Sequence, residues 1–166
     1  MEYNARYDSP LGPITLAFLD GNLTGLSFGA DNSTDTIPSM ASVRHWLDLY
    51  FTGEQPDFLP PVRLHGTDFQ RRVWQALTEI PYGHTISYGE LARRVGCRSA
   101  QAVGQAVGSN PVAIIVPCHR VVGSNGSMTG YAYGLDRKKY LLALESKPLA
   151  LLPPPPRDSG VAWWPS

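Results

Sequence analysis

The sequence is short of cysteine, histidine and long apolar runs, and each shortage removes a class of protein. Its two cysteines, Cys97 and Cys118, cannot make a disulfide framework. Neither stands in a Cys-x-x-Cys pair, and the four histidines offer no His-x-x-x-His spacing, so no metal site is predicted. No stretch approaches the roughly 18 to 20 uninterrupted apolar residues of a membrane span. The start, MEYNARYDSP, lacks the basic-then-apolar layout of a signal peptide, and a cytoplasmic location is expected. Net charge is zero, which gives no overall attraction to a polyanion. What remains is a globular chain of 166 residues, 43% hydrophobic and 17% charged, long enough for one domain or two small ones.

The zero conceals a split. Residues 1–62 carry two basic and eight acidic side chains, a balance of −6, whereas residues 63–148 carry eleven basic and five acidic, a balance of +6. Such asymmetry marks either a half that faces nucleic acid or a helical domain with a solvated arginine face.

Local patterns divide the chain at the same place. Ile14, Leu16 and Phe18, then Leu26 and Phe28, alternate around Asp20-Gly21 and predict a β-hairpin. Val43, Trp46, Leu47 and Tyr50 predict a helix near 41–51. Prolines 56, 60 and 61 predict an extended linker, which sets domains at 1–62 and 63–148. Beyond it, Thr67-Asp68-Phe69-Gln70 has capping-box form before the stripe Phe69, Val73, Trp74, Leu77 and Ile80. Ser87-Tyr88-Gly89-Glu90 opens a second helix that Gly96 ends, and Ser99 caps a third. Two short helices joined by a tight turn and flanked by arginines form a helix-turn-helix pattern, although helical hairpins that bind nothing look alike. Asp136 is expected to cap a last helix containing Glu145, and residues 149–166, with four consecutive prolines and Trp163-Trp164, read as a tail.

The chemistry concentrates at PCHRVVGSNG, residues 117–126, where Cys118 precedes His119 and Arg120. A free thiol has a pKa of about 8.5, so a nucleophilic cysteine needs a base or a positive charge beside it. Neighbouring side chains on an extended backbone point apart, which favours a water relay over a direct Cys118 to His119 bond. His119 then needs an acceptor on its other nitrogen, and Glu145 is the candidate carboxylate. A buried core cysteine remains the competing reading.

The run from Thr67 to Glu145, with FQRRVWQALTEIPYG, SYGELA, AVGQAVGSNP, IIVPCHRVVGSNG, TGYAYGL and KKYLLALE, resembles the catalytic domain of the O6-alkylguanine-DNA alkyltransferases. The resemblance implies an α/β ribonuclease-H-like N-terminal domain and a mainly α C-terminal domain with a winged helix-turn-helix. It implies stoichiometric, irreversible transfer of an alkyl group from O6-alkylguanine in double-stranded DNA to Cys118, after base flipping from the minor groove. O4-alkylthymine is a further candidate substrate. No cofactor is implied, because the damaged base is the donor, and the protein is expected to be a monomer, with cooperativity on DNA left open.

Carried over, Cys118 is the acceptor, His119 the base and Glu145 its orienting group, while Asn110 holds the active segment. Tyr88, Tyr131, Ala132 and Tyr133 line the base pocket. Gln101, Ala102, Arg94, Arg98 and Arg120 are the candidate DNA contacts. Two positions depart from the family pattern: Gln101 stands where an arginine usually enters the duplex, and Tyr133 where many relatives have glycine. The first predicts weaker DNA engagement and the second a narrower pocket. The rival reading is an alkyltransferase-like lesion sensor, which characteristically has tryptophan at the position of Cys118. A cysteine hydrolase leaves the helix-turn-helix unexplained, and a transcription regulator leaves the Cys-His-Arg box unexplained.

Overall fold

The computed structural model describes residues 2–29, 40–128 and 130–146. The expected tail at 149–166 lies outside them. The described residues form an N-terminal sheet domain and a C-terminal helical domain.

Strands β1 (Glu2–Ser9), β2 (Gly12–Leu19) and β3 (Asn22–Phe28) pair antiparallel in sequence order. The β2–β3 turn is the expected Asp20-Gly21, with φ of 51° and 84°. Positive φ at both central residues is the twist-matched hairpin geometry. Strand β1 was not legible in the sequence, because only Ala5 and Tyr7 of its residues are buried and the alternation is thin. Ile14, Leu16, Phe18, Leu23 and Leu26 pack inward against helix α1 (Met40–Phe51), which turns Met40, Val43, Trp46, Leu47 and Tyr50 into the core.

The proline-rich linker does not hang free. Leu23 N–H donates to the Pro61 carbonyl at 2.8 Å, and Arg63 N–H donates to the Leu23 carbonyl at 2.9 Å. Farther along β3, Leu26 N–H donates to the Pro111 carbonyl at 2.8 Å, and Ala113 N–H donates to the Leu26 carbonyl at 3.1 Å. The outer edge of β3 is thus occupied by the linker at 61–63 and by a piece of the second domain, which satisfies backbone groups that an open edge would expose.

Helix α2 (Asp68–Thr78) starts with the expected capping box: Gln70 N–H donates to Thr67 Oγ1 at 3.1 Å and Thr67 N–H to Gln70 Oε1 at 3.0 Å. Gly66 precedes it because a Cβ there would stand 2.6 Å from the Trp74 ring. Trp74 in turn donates its indole N–H to the Ala106 carbonyl at 2.8 Å, fixing α2 to a later helix. The two-residue strand β4 (Ile86–Ser87) leads into α3 (Tyr88–Val95), which Gly96 ends at φ 72°. Only half of the second capping box forms: Ser87 Oγ accepts from Glu90 N–H, but the Glu90 carboxylate turns to Arg93 and Arg94 instead. Ser99 caps α4 (Ala100–Gly108) by accepting from Ala102 N–H at 3.1 Å.

Residues 112–116, which periodicity alone left unassigned, cross the core as an irregular strap with every residue buried. Ile114 has φ 69°, an outlying conformation for a buried β-branched residue. A 3-10 turn, Cys118–Arg120, follows, and β5 (Val121–Val122) then pairs parallel with β4. Helix α5 (Leu135–Ser146) closes the domain. Asp136 lies inside its first turn, not at the cap expected for it, since the helix already begins at Leu135 after Gly134.

Candidate active site

Asn110 shapes the strap that presents the thiol. Its Nδ2 donates to the Val116 carbonyl at 2.8 Å and its Oδ1 accepts from Val112 N–H at 3.0 Å, so one side chain ties together both ends of the irregular segment. Cys118 follows immediately, 7% exposed, on a cavity of about 220 Å³. Tyr88, Asn110, Tyr131, Ala132 and Tyr133, all candidates from the sequence, line the same cavity. Gly104, Val107 and Gly108 of α4 complete one wall.

Burial pushes the Cys118 thiol up; a hydrogen bond from Asn110, a backbone N–H and the Lys138 charge pull the other way without reversing it. The resting sulfur is therefore a thiol, and attack requires a base. His119 lies behind it, fully buried, with Nε2 2.6 Å from Glu145 Oε2. Burial, joined by the Arg120 and Lys138 charges, lowers the His119 pKa against the pull of Glu145, so the ring is neutral near pH 7. An ionised carboxylate can only accept, which assigns the proton to Nε2 and leaves Nδ1 as the basic nitrogen. Nδ1 is buried and has no protein partner among the described residues. That is the arrangement a proton relay from the thiol requires.

Glu145 is held by more groups than His119. Arg120 Nε donates to Oε1 at 2.8 Å and Nη2 to Oε2 at 3.0 Å, and Gly83 N–H reaches Oε1 at 3.3 Å. Burial would raise the carboxyl, but the hydrogen bonds and charge of His119 and then Arg120 outweigh it and bring its pKa down to about 2.

Two contributors escaped the sequence reading. Tyr50, on α1 of the other domain, donates its phenol O–H to Glu145 Oε2 at 2.7 Å. Lys138 is fully buried, with Nζ donating to the Val121 carbonyl at 2.6 Å and the Gly130 carbonyl at 3.3 Å. It therefore braces the segment after Cys118 against the pocket loop while placing a positive charge near the sulfur. The only sequence signal for either was position on a helix stripe, where Tyr50 reads as ordinary core.

The candidate DNA contacts separate. Gln101, Arg94 and Arg98 are exposed on or beside α3 and α4, and Ala102 is half-buried. Arg120 points elsewhere: besides Glu145 it donates to the Ile80 carbonyl at 2.7 Å, and its side chain is 11% exposed. A guanidinium so committed braces Glu145, and its position does not match the DNA-contact role expected for it. Arg120 also borders a larger cleft of about 580 Å³ with Trp46, Phe58 and Tyr82, but neither cysteine nor histidine lines it. The smaller cavity, which holds the thiol, is the chemical site.

The N-terminal domain also braces the pocket wall. Phe28 of β3 packs edge-on to Tyr133 at 5.2 Å, with the Arg137 guanidinium 4.7 Å from the Phe28 ring centre. Tyr133 meets Tyr131 edge-on at 5.6 Å. Among the described residues no three His, Cys, Asp or Glu side chains are grouped to hold a metal ion, and no helix is long and apolar enough to cross a membrane.

Comparison with known proteins agrees with this geometry. Residues 3–64 match the family described as 6-O-methylguanine DNA methyltransferase, ribonuclease-like domain, and residues 68–147 match its DNA binding domain. The chain is 48% identical over 148 residues to the Methylated-DNA--protein-cysteine methyltransferase of Mycolicibacterium paratuberculosis, covering 84% of this chain and 90% of that one. It is 44% identical to the protein of the same name from Methanosarcina acetivorans, covering 86% and 97%. Among solved structures, Mycobacterium tuberculosis O6-methylguanine methyltransferase superposes with a TM-score of 0.80 at 45% identity, covering 88% of this chain and 93% of that one. The same organism's OGT in complex with DNA gives 0.79 at 47% identity, covering 86% and 92%. With both domains matched in order and identity near one half over most of its length, the chain belongs to the 6-O-methylguanine DNA methyltransferase family.

Proposed function

We propose that this protein repairs DNA by direct reversal, moving the alkyl group of an O6-alkylguanine onto Cys118 once per molecule. The observation that carries the reading is a buried thiol on a cavity floor, backed by a neutral histidine whose one basic nitrogen is unpartnered within the protein. In the step, the Cys118 proton passes through water to His119 Nδ1 as sulfur attacks the alkyl carbon. The S–C bond forms while the C–O6 bond breaks, and the leaving guanine takes up a proton. A thioether is not hydrolysed by water, so the protein is consumed. The base itself is the alkyl donor and no cofactor enters.

Sulfur cannot reach the alkyl carbon in line with its bond to O6 while the base is stacked, so the nucleotide flips into the cavity. Tyr88, Tyr131 and Tyr133 offer the apolar walls for a base, and Ala132, which lines the same cavity, donates its N–H to O6. The unit α3–turn–α4 serves as the helix-turn-helix, part of a winged domain, and presents Gln101, Ala102, Arg94 and Arg98 to the minor groove. Readout there is largely insensitive to sequence, as lesion repair needs. The sheet and α1 correspond to the ribonuclease-H-like domain, with the boundary near residue 62, and the protein acts as a cytoplasmic monomer. The lesion-sensor alternative finds no support in relatives named as methyltransferases or in a chain that retains the cysteine.

Incubation with duplex DNA bearing one O6-methylguanine, followed by mass spectrometry, tests the reading. A single added methyl on the Cys118 peptide, absent from Cys118→Ser, is expected. Lesion-selective binding without methylation would overturn transfer.

A further inference from the structure

Tyr50 precedes His119 by 69 residues and Glu145 by 95, yet its hydroxyl lies within hydrogen-bonding distance of both. Its oxygen is 2.7 Å from Glu145 Oε2 and 3.4 Å from His119 Nε2, and the residue is 1% exposed. The ring is held by Trp46 at 5.3 Å, Phe51 at 5.4 Å and the edge contact with Tyr82 at 6.2 Å. It has no room to turn the hydroxyl away.

We infer that Tyr50 is a positioning residue for the proton relay, through which the N-terminal domain limits how much of the Glu145 charge reaches His119. The inference rests on the alkyl-transfer reading above. Glu145 Oε2 is shared by Tyr50 O–H, His119 Nε2 and Arg120 Nη2. A carboxylate oxygen that already accepts a hydroxyl is a weaker partner for an imidazolium, because its charge is partly satisfied. Without the hydroxyl, Oε2 would stabilise protonated His119 more strongly, and less of the ring would be available as a base. Burial, followed by the Glu145 charge, holds the Tyr50 phenol protonated, so it acts only as a donor here. The other groups facing His119 are Glu145 and Lys138 from α5 and Arg120 from its own turn, with Cys118 adjacent and Tyr82 facing Glu145 from the loop after α2. None of these supplies a second neutral donor to Oε2.

The test uses the full-length chain with Tyr50→Phe, which keeps the ring and removes the hydroxyl. In the free protein, NMR of the His119 ring should show its protonation midpoint rising by about half a pH unit and the Nε2-bound proton moving downfield. Single-turnover methyl transfer should show its acid limb moving by the same amount, a roughly threefold loss on that limb and little change at higher pH, with DNA affinity unchanged. Tyr7→Phe is the matched control, since it removes another phenol hydrogen bond to α1, that of Tyr7 to Asp48 at 2.6 Å, whose acceptor is not Glu145. It should move neither readout. Placing 3-fluorotyrosine at position 50, a stronger donor of nearly the same shape, should move both in the opposite direction, and it decides the matter should Tyr50→Phe not fold. An unmoved His119 midpoint and proton shift, an equal slowing at every pH, or the same response from Tyr7→Phe would overturn the inference. If the wild-type chain transferred no methyl, the alkyl-transfer reading would fail, while the NMR readouts would still decide the role of Tyr50.

Discussion

The two cysteines sit in opposite settings, and the one that looks less reactive in isolation is the one at the site. Cys97, in the turn between α3 and α4, is partly exposed, and its sulfur accepts from Ser99 N–H at 3.4 Å. Cys118 is buried, with its thiol pushed up by that burial. Accessibility therefore does not mark the nucleophile. What distinguishes Cys118 is a cavity in front, a neutral base behind, and a carboxylate fixing that base. A thiol kept protonated until a substrate fills the cavity is also shielded from stray electrophiles, which suits a protein used once.

The sharpest way to break this contrast is to exchange the sulfurs. Cys118→Ser is expected to abolish methyl transfer, and Cys97→Ser to leave the rate within about twofold, as followed by loss of O6-methylguanine from duplex DNA. Next in size, Glu145→Gln removes the charge that fixes His119 and should slow transfer roughly 10²-fold, read as a single-turnover rate. It also leaves Arg120 buried without its anion, so the variant should melt well below wild type.

Acid should disarm the Cys118 side of the contrast specifically. Glu145 is depressed to about 2 from an unfolded value near 4.5, so its stabilisation is complete above about pH 4.5 and is lost as pH falls toward 2. At about 1.4 kcal/mol per unit this amounts to roughly 3 kcal/mol. His119, also lowered in the folded state, adds a loss that begins as pH drops through about 6.5. Denaturant midpoints measured from pH 7 down to pH 3 should fall first below about pH 6.5, from His119, and more steeply below about pH 4.5, from Glu145, and Glu145→Gln should flatten the lower part. The smallest effect belongs to the Cys97 side. Gln101→Arg, on exposed α4, should tighten DNA several-fold and steepen the salt dependence by about one unit, with the alkyl-transfer step itself unchanged. No gain in affinity or repair rate would remove Gln101 from the DNA face.

How much of this was legible in the sequence depended on distance along the chain. Thr67, Ser87, Gly96 and Ser99 act within three or four residues, and their caps and stops appear where the pattern put them. Asp20-Gly21 is equally local. Cys118, Asn110 and Tyr131 could be named because they stand within recognisable short motifs, and the structure places all three on one cavity. Tyr50 could not, because nothing in the HWLDLYF stretch says that one ring of a core stripe meets a carboxylate 95 residues later. Arg120 misled for the converse reason: a basic residue beside a nucleophile reads as a ligand contact until its partner is seen to be Glu145. Lys138 was passed over, since lysine on a helix ordinarily reads as solvated.

Ile114 has a consequence for how the strap is held. A buried β-branched residue at φ 69° costs on the order of 1–3 kcal/mol, and the Ile115 N–H to Ala113 carbonyl bond at 2.8 Å closes the turn around it. The pairing of the flanking residues with Leu26 and the closure by Asn110 then anchor the two ends of the strap. The strap has its full set of bonds only with β3 in place, so the segment carrying the thiol is expected to loosen when the N-terminal sheet gives way. For a protein that waits intact for a single event, shelf life is governed by how slowly that sheet lets go.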